Sequence, residues 1–281
     1  MKILVCTNPQ KDVRLEITDK VCEILDKYDI EYNRFVLESR DANINSDVSE
    51  GCDAVIVLGG DGTIMRVAKK CKEYAIPIMG VNAGHLGFLA QTGVDDLDEA
   101  LKRLIDKDYS LEKRMMLTGK VIRNGEVIYE GEALNDVCIT RGGSLQILNL
   151  STYVNDRYLK AYAADGVIIS TPTGSTGYNL SAGGPIVEPD ADMILLTPIA
   201  AHTLMNRSIL FSSKDSVSVV VEEPHDVELK QRIVVSFDGA KYIELMSNDK
   251  VVVTKSEGHV RFIQMNNVNF LETLSKKLKE N

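Results

Sequence analysis

The hydrophobic positions of the first 112 residues alternate between two spacings. Short continuous apolar runs at residues 2–6, 32–37, 54–58 and 77–81 predict strands buried on both faces of a parallel sheet. The i, i+3, i+4, i+7 spacing of helices packed on one face recurs in three segments, at residues 13–28, 62–74 and 97–105. This order of strands and helices predicts an N-terminal, doubly wound parallel α/β domain.

The spacing changes near residue 112. From there to about residue 265, strand-like runs separated by turn signals dominate, and Asn124-Gly125 between two such runs predicts a β-hairpin. The pattern predicts a β-rich second domain, similar to a β-sandwich, over residues 113–265. A last helix within residues 266–281 is predicted to pack back on the first domain through its apolar positions Phe270, Leu271, Leu274 and Leu278.

Composition limits the possible functions. The chain has 281 residues, of which 44% are hydrophobic, so it can form one large domain or two domains of typical size, each with a hydrophobic core. A formal net charge of −9 argues against a nucleic-acid or anionic-membrane surface, so local amides, a few cations or a metal must hold any anionic substrate. The five cysteines contain no C-x-x-C pair, which is typical of free thiols in a reducing compartment. Because neither a signal peptide nor a membrane-length apolar run is evident, we expect a soluble, cytoplasmic protein.

A glycine-rich loop, Gly59-Gly60-Asp61-Gly62-Thr63, lies between the predicted strand at 54–58 and the helix that follows it. At a strand-to-helix turn, free backbone N–H groups and the helix dipole favour an anion, and glycine permits close approach. The alternative is a tight turn in which Asp61 or Thr63 caps the helix. A Walker A motif is excluded because the chain has no Gly-Lys-Ser/Thr, and a G-x-G-x-x-G fingerprint because Met65 stands where glycine is needed.

Two further segments carry polar groups suited to a ligand. Residues 163–189 combine a predicted strand with a dense series of threonine, serine and glycine, which suits a ribose, an amide or a phosphate. A loop that is merely rich in turn residues is the alternative. The adjacent Asn135 and Asp136 are suited to grip the vicinal diol of a ribose, although an ordinary turn explains them equally well.

These motifs occur in the same order as in the bacterial NAD kinases, which the sequence resembles from about residue 2 to residue 278. The run at 171–185 is the specific part of the resemblance, because diglyceride, sphingosine and phosphofructokinase-type kinases share a similar GGDG loop. The segment GVNAGHLGFL at residues 80–89 is also similar to the family's loop after the next strand. The resemblance implies an enzyme that phosphorylates the adenosine-ribose 2′-hydroxyl of NAD, using ATP and a divalent metal, with Mg²⁺ expected. It also implies a homo-oligomer, a dimer or tetramer, assembled through the β-rich domain.

The resemblance assigns roles to parts of the chain. It implies that residues 1–112, with the C-terminal helix, hold the phosphate donor, and that residues 113–265 hold the dinucleotide. Asp61 matches the family's proton acceptor, and the positions matched to ATP phosphate are Gly59, Gly60, Gly62 and Thr63. The positions matched to NAD are Asp61, Gly62, Asn135, Asp136, Asp165, Thr176, Gly177, Tyr178, Asn179, Leu180 and Ser181, with His85 and Ala163 as further candidates.

Three positions depart from the commonest family pattern. Gly177 stands where alanine is usual, Ala163 where arginine is frequent, and Ala240, after Phe237-Asp238-Gly239, where glutamine is frequent. These changes leave Asp61 intact and concern the affinity for the dinucleotide.

Two rival functions stay open. One is a kinase of the same superfamily acting on a lipid or sugar alcohol, for which no amphipathic basic face is evident. The other is a catalytically silent dinucleotide-binding regulator, which would need the 171–185 run but not Asp61.

Overall fold

The computed structural model describes residues 1–37, 51–82, 84, 87–90, 92–143, 147–202, 206–223, 232–265 and 270–279. The chain divides into two compact units. The first consists of Met1–Arg114 with His259–Asn281, and the second of Met115–Gly258. Each unit has its own cluster of buried hydrophobic residues.

The described residues of the first unit form one sheet, with strands numbered along the whole chain. Its strands are β1 (Lys2–Thr7), β2 (Glu31–Val36), β3 (Ala54–Leu58), β4 (Ile78–Asn82), β5 (Thr92–Gly93), β6 (Ser110–Arg114) and β19 (Val260–Gln264). Its helices are α1 (Glu16–Lys27), α2 (Asp61–Glu73), α3 (Leu97–Ile105) and α5 (Phe270–Lys279). The strand order is β2-β1-β3-β4-β19-β6, with β5 beside β4, and every pairing is parallel except that of β6 with β19.

Helices cover this sheet on both faces. Ile3 and Val5, alternate residues of β1, join a buried cluster to which α1 and α3 contribute Val21, Ile24, Leu25, Leu97, Leu101 and Leu104. Helix α2 contacts β3 and β4, and its buried stripe of Ile64, Val67, Ala68 and Cys71 lies outside that cluster. Because α1 and α3 pack on one face and α2 on the other, the predicted doubly wound architecture is confirmed.

The order of the strands identifies where such a sheet binds ligands. From β1 the chain continues to β2 on one side and then crosses to β3 on the other side of β1, so the direction in which strands are added reverses between β1 and β3. Open α/β sheets bind ligands at the carboxyl ends of the strands at such a switch point. The residues that follow β1 and β3 are Asn8 and Gly59, and the Asn8 N–H donates to the Leu58 carbonyl at 3.0 Å. The glycine-rich loop therefore lies at the switch point.

The second unit is built mainly of strands. They are β7 (Leu117–Arg123), β8 (Glu126–Ala133), β9 (Asp136–Arg141), β10 (Leu148–Val154), β11 (Arg157–Ala164), β12 (Gly166–Ser170), β13 (Met193–Ile199), β14 (Ile209–Ser212), β15 (Val217–Val221), β16 (Ile233–Phe237), β17 (Lys241–Leu245) and β18 (Lys250–Lys255). A 3₁₀ helix (Thr173–Thr176) and helix α4 (Tyr178–Ser181) lie between β12 and β13.

These strands form two antiparallel sheets that share one core. In the part of the chain that the structure describes, the sheets have six strands each, in the orders β11-β10-β15-β18-β7-β8 and β14-β13-β12-β9-β16-β17. Alternate residues from both sheets, such as Leu148 and Leu150 of β10 and Val167 and Ile169 of β12, belong to one buried cluster. This alternation is that of a sandwich, as the sequence predicted. The hairpin is also confirmed, since β7 and β8 pair around Asn124-Gly125.

Three boundaries differ from those predicted. The β-rich domain was predicted to begin at residue 113, but residues 113 and 114 belong to β6 in the first unit. Residues 259–265 were assigned to the β-rich domain, but β19 pairs with β4 and β6 and so belongs to the first unit. An alternating apolar pattern predicts a strand without indicating which sheet that strand joins, so the sequence did not reveal this. Helix α1 begins at Glu16 rather than near Val13, because the Asp12 carboxylate accepts the N–H groups of Ile17 (3.2 Å) and Thr18 (2.9 Å).

Candidate active site

The glycine-rich loop, residues 59–63, joins the end of β3 to the first turn of α2. Gly59 continues the sheet, with its N–H bonded to the Val81 carbonyl at 3.0 Å, and Gly60 is the N-cap residue. No side chain caps the helix, so the alternative in which Asp61 or Thr63 is the cap does not describe this structure. The first N–H groups of a helix have no intrahelical acceptor, and here the first two belong to Asp61 and Gly62.

Thr63 is hydrogen-bonded to Asn8, the residue that follows β1. Its hydroxyl oxygen accepts a hydrogen bond from the Asn8 side-chain amide at 2.8 Å, and Thr63 is 5% exposed. A Cβ on Gly59 would lie 2.8 Å from that hydroxyl oxygen, so the close packing requires glycine there. Asn8 is a site residue that the sequence did not predict, and its position directly after a predicted strand was the available signal.

The other two glycines of the loop have no such packing role. A Cβ on Gly60 or on Gly62 would meet nothing within 4 Å, and neither residue has a positive φ. Neither the backbone conformation nor the packing requires glycine at these positions, whereas an approaching ligand would benefit from the missing side chains. The N-terminus of α2 is therefore an open surface for an anion.

Asp61 uses its side chain to hold a second loop. Its Oδ2 atom accepts the Phe88 N–H at 2.9 Å, and its Oδ1 atom accepts the N–H groups of Leu89 (3.1 Å) and Ala90 (3.2 Å). A Cβ on Gly87 would overlap the carboxylate. Three donors thus fix the carboxylate at the carboxyl ends of β3 and β4. The adjacent candidate His85 lies outside the described residues.

The C-terminal helix packs against the same loop. The rings of Phe88 and Phe270 lie 5.9 Å apart, and the Lys277 ammonium lies 5.2 Å from the centre of the Phe88 ring. Helix α5 thus packs on the first unit, as predicted, and contacts the segment that binds the Asp61 carboxylate.

In the second unit, the turn that contains Asn135 is bonded on both sides. The N–H groups of residues 134–136 all donate to the Asp238 carboxylate. The Leu134 carbonyl accepts the Thr171 hydroxyl at 2.6 Å, and the Asn135 carbonyl accepts the Thr171 N–H at 2.8 Å. No group among the described residues donates a hydrogen bond to the buried Oδ1 atom of Asn135, although this residue has other interactions. Asp136 is 6% exposed at the start of β9.

The run at 171–185 folds into the 3₁₀ helix and α4. Asn179 is fully buried: its amide nitrogen donates to the Ser175 and Pro185 carbonyls, both at 3.0 Å, and its oxygen accepts the Thr197 hydroxyl at 2.6 Å. These bonds use both donors and the oxygen of Asn179, so its side chain holds the loop in this structure, and its predicted contact with NAD stays a prediction. The other predicted positions of the run are exposed or partly exposed, namely Thr176, Gly177, Tyr178, Leu180 and Ser181.

Asp165 connects β11 to β12, and Ala163 is the next-to-last residue of β11. The Asp165 carboxylate accepts a hydrogen bond from the Arg141 guanidinium at 2.9 Å, and the Ala163 carbonyl accepts the His202 N–H at 2.8 Å. Burial raises the pKa of the Tyr178 hydroxyl, and the Cys138 thiol and the Asp136 and Asp165 carboxylates raise it further. The structure therefore brings Asp136, Asp165 and Tyr178 into one electrostatic neighbourhood.

Comparison with known proteins identifies the family. The chain matches the ATP-NAD kinase N-terminal domain over residues 39–109 and the ATP-NAD kinase C-terminal domain over residues 134–265. It is 36% identical to the NAD kinase of Ruminiclostridium cellulolyticum, over 99% of this chain and 98% of that protein. The chain belongs to the NAD kinase family.

Further comparisons agree with this assignment. The NAD kinase of Lachnospira eligens is 41% identical over 82% of each chain. The crystal structure of yeast NADH kinase complexed with NADH covers 100% of this chain and 88% of that one, with a TM-score of 0.82 and 20% sequence identity, and it supports the fold. Membership of the NAD kinase family favours phosphorylation of NAD over the rival activity on a lipid or sugar alcohol.

The departures from the usual NAD kinase pattern have identifiable surroundings. A Cβ on Gly177 would lie 3.2 Å from the Asn135 amide nitrogen and 3.3 Å from the Gly174 carbonyl, so glycine leaves the Asn135 side chain extra room. Ala240 is exposed in the β16–β17 turn, where its N–H donates to the Phe237 carbonyl at 3.1 Å.

No helix among the described residues is long and apolar enough to cross a membrane. Within the same ranges, no group of three or more His, Cys, Asp or Glu side chains could hold a metal ion. All five cysteines are buried as free thiols.

Proposed function

We propose that this chain transfers the γ-phosphoryl group of ATP to the 2′-hydroxyl of the adenosine ribose of NAD, giving NADP. The observation that carries the proposal is the placement of Asp61. Its fixed carboxylate lies at the switch point, at the start of a helix whose Gly60 and Gly62 are open to a ligand. Phosphoryl transfer needs such a combination, because positioning and charge neutralisation carry most of its catalysis.

The ATP phosphates would bind at the N-terminus of α2. The N–H groups of Asp61 and Gly62 and the helix dipole supply positive potential there. The Thr63 hydroxyl oxygen already accepts a hydrogen bond from Asn8, so its own proton can be donated to a phosphate oxygen. This local arrangement compensates for the net charge of −9, which opposes an anionic substrate.

Asp61 would orient the 2′-hydroxyl and accept its proton late in the transfer. Three backbone N–H donors hold the carboxylate in one position, where it can orient a hydroxyl group by accepting its hydrogen bond. In a loose transition state the attacking oxygen loses its proton late, so a weak base that aligns the hydroxyl is sufficient.

The reaction would also need a divalent metal, for which we propose Mg²⁺, and this ion would arrive bound to the nucleotide substrate. Magnesium usually keeps several waters and needs only one or two protein carboxylates beside the phosphates. When bound, the metal would neutralise charge on the transferred phosphoryl group.

NAD would bind to the second unit. Asn135 and Asp136 would hold the ribose hydroxyls, while Asp165 and the exposed positions of the 171–185 run would contact the rest of the dinucleotide. Support comes from the rigid backbone around Asn135 and from the shared neighbourhood of Asp136, Asp165 and Tyr178. Asn179 contributes by holding the run in place.

The proposal includes a homo-oligomer assembled through the β-rich unit, in the cytoplasm. Strands β8 and β11 are the edges of one sheet, and they expose Val127 (53%) and Tyr158 (62%). Exposed edges of this kind can pair across a symmetry axis. Light scattering at micromolar concentration tests this, and a monomeric mass would refute it. The buried free thiols agree with a reducing compartment.

The test of the function is to incubate the purified chain with NAD, ATP and Mg²⁺ and to assay NADP. Formation of NADP that depends on Asp61 supports the proposal. Binding of NAD without turnover would instead favour the catalytically silent regulator, and phosphorylation of a lipid or sugar alcohol without NADP would favour the other rival.

A further inference from the structure

The Asp238 carboxylate organises the turn between β8 and β9. Its Oδ2 atom accepts the Leu134 N–H at 2.9 Å, and its Oδ1 atom accepts the N–H groups of Asn135 (2.8 Å) and Asp136 (3.2 Å). Asp238 also donates its own N–H to the Asp136 carbonyl at 3.0 Å. One residue thus makes four hydrogen bonds to three consecutive residues that are about 100 positions away in the sequence.

The carbonyl groups of the same turn are bonded from the opposite side. Thr171 bonds to the carbonyls of Leu134 and Asn135, and the Ser170 hydroxyl donates to the Asn135 carbonyl at 3.1 Å. Every backbone N–H and carbonyl of residues 134–136 therefore has a partner. Because these groups are all bonded, the backbone of the turn is held in one conformation. That conformation sets the direction in which the Asn135 side chain leaves the backbone.

Asp238 is itself firmly held. Phe237, the preceding residue, is 2% exposed, and its ring lies 5.3 Å from that of Tyr129. A Cβ on Gly119 would lie 2.6 Å from the Phe237 ring, so the ring packs directly on that glycine. Asp238 adopts a left-handed φ of 53° and Gly239 a φ of 64°. An aspartate tolerates this conformation better than most residues, and its short side chain reaches the facing turn.

We propose that Asp238 is a positioning residue for NAD binding, acting through Asn135 and Asp136 without contacting the dinucleotide. The inference rests on the proposed function, because it assumes that these two side chains hold NAD. Without the Asp238 carboxylate, three N–H groups would turn to water or distort the turn, and both side chains would lose their fixed direction. A misplacement of about 1 Å in such a site can cost on the order of 100-fold.

Two variants separate the carboxylate from the backbone conformation. Asp238→Gly removes the side chain while glycine keeps a positive φ without strain. Asp238→Asn keeps one acceptor oxygen and also tolerates the left-handed region. The matched control is Asn124→Gly, because Asn124 has the same φ of 53° in the β7–β8 hairpin of the same unit but has no bond to residues 134–136.

The first measurement is amide hydrogen exchange in the absence of NAD. In Asp238→Gly, we expect residues 134–136 to exchange faster than in the parent protein, while the cores of β12 and β15 keep their protection. In Asn124→Gly, the exchange of residues 134–136 should be unchanged. Unchanged exchange of this turn in Asp238→Gly would overturn the inference, whatever happens to activity.

The second measurement is the dissociation constant of NAD by calorimetry, with KM for both substrates. Asp238→Gly should weaken NAD binding by roughly 10-fold to 100-fold and Asp238→Asn by less, whereas KM for ATP should stay within about twofold. A loss of stability alone would leave NAD affinity unchanged well below the melting temperature.

Asn135→Ala identifies which claim fails. If Asn135→Ala weakens NAD binding and a folded Asp238→Gly does not, the inference about Asp238 is wrong. If neither variant weakens it, the proposed dinucleotide site is wrong, and the inference falls with it.

Discussion

Replacing Asp61 by asparagine should affect both stability and turnover, for separate reasons. The single oxygen of asparagine can still accept the N–H groups of Leu89 and Ala90, but its amide nitrogen would then face the Phe88 N–H, donor against donor. A hydrogen bond to a charged group contributes about 1.5–3 kcal/mol, so we expect the first unit to lose about 2–3 kcal/mol of stability. For a domain of this size, that corresponds to a fall of roughly 5–10 °C in Tm.

The effect of Asp61→Asn on turnover should be larger. Asparagine cannot accept the proton of the 2′-hydroxyl, and general-base assistance typically contributes ~10²–10⁴-fold, or about 3–5 kcal/mol of barrier. Turnover at saturating substrates should fall by that factor, whereas the dissociation constant of NAD should change much less.

Asp12→Asn provides the matched control in the same unit. The Asp12 carboxylate also accepts backbone N–H groups, from Ile17 and Thr18, and additionally the Thr18 hydroxyl at 2.6 Å. We expect a comparable loss of stability from Asp12→Asn, with turnover within about twofold of the parent. Thermal melting and NADP formation are measured on the same preparations. A folded Asp61→Asn variant with turnover within about tenfold of the parent would refute the catalytic role of Asp61 and leave it only its bonds to residues 88–90.

Three further predictions follow from the same geometry. Gly62→Ala should keep or slightly raise Tm, because the added Cβ meets nothing within 4 Å, but it should raise KM for ATP several-fold. Gly59→Ala should instead lower Tm, because its Cβ would lie 2.8 Å from the Thr63 hydroxyl oxygen. An unchanged KM in Gly62→Ala would argue against phosphate at this loop. Asn135→Ala should weaken NAD binding by ~1–3 kcal/mol in a variant of normal stability, since it leaves Asp136 to hold the ribose alone; an unchanged NAD affinity would contradict this. Burial raises the pKa of the Cys71 thiol to about 12, so the protonated thiol's contribution to stability is complete below the unfolded pKa of ~8.5 and is lost as the pH rises towards 12. Between pH 8 and 11, the free energy of urea unfolding should therefore fall less in Cys71→Ala than in the parent, and equal falls would disprove this.

The sequence was sufficient for the elements of the fold because their signals are local. The continuous apolar run at 54–58 and the glycines after it predicted both β3 and the turn into α2, and Asn124-Gly125 predicted the β7–β8 hairpin. The assignment of β19 to the first sheet could not be predicted, because Phe262 of β19 pairs with Ile78 of β4, which lies 184 positions earlier.

The bonds that arrange the site are not local in the sequence. Asp61 bonds to residues 27 to 29 positions later, and Asp238 to residues more than 100 positions earlier. No periodicity or spacing records such partners. Asn179 illustrates the same limit, since nothing in a polar run indicates that this amide is buried and bonded to Ser175 and Thr197.

The central claim is that the chain phosphorylates the adenosine-ribose 2′-hydroxyl of NAD, and the most direct measurement is the identity of the product. The purified chain is incubated with NAD, ATP and Mg²⁺, and the position of the new phosphate is determined by phosphorus NMR. We expect one 2′-phosphate per ATP consumed, at a rate that falls at least about 100-fold in Asp61→Asn. Phosphate at another hydroxyl of NAD, or ATP consumption without a phosphorylated dinucleotide, would contradict the account.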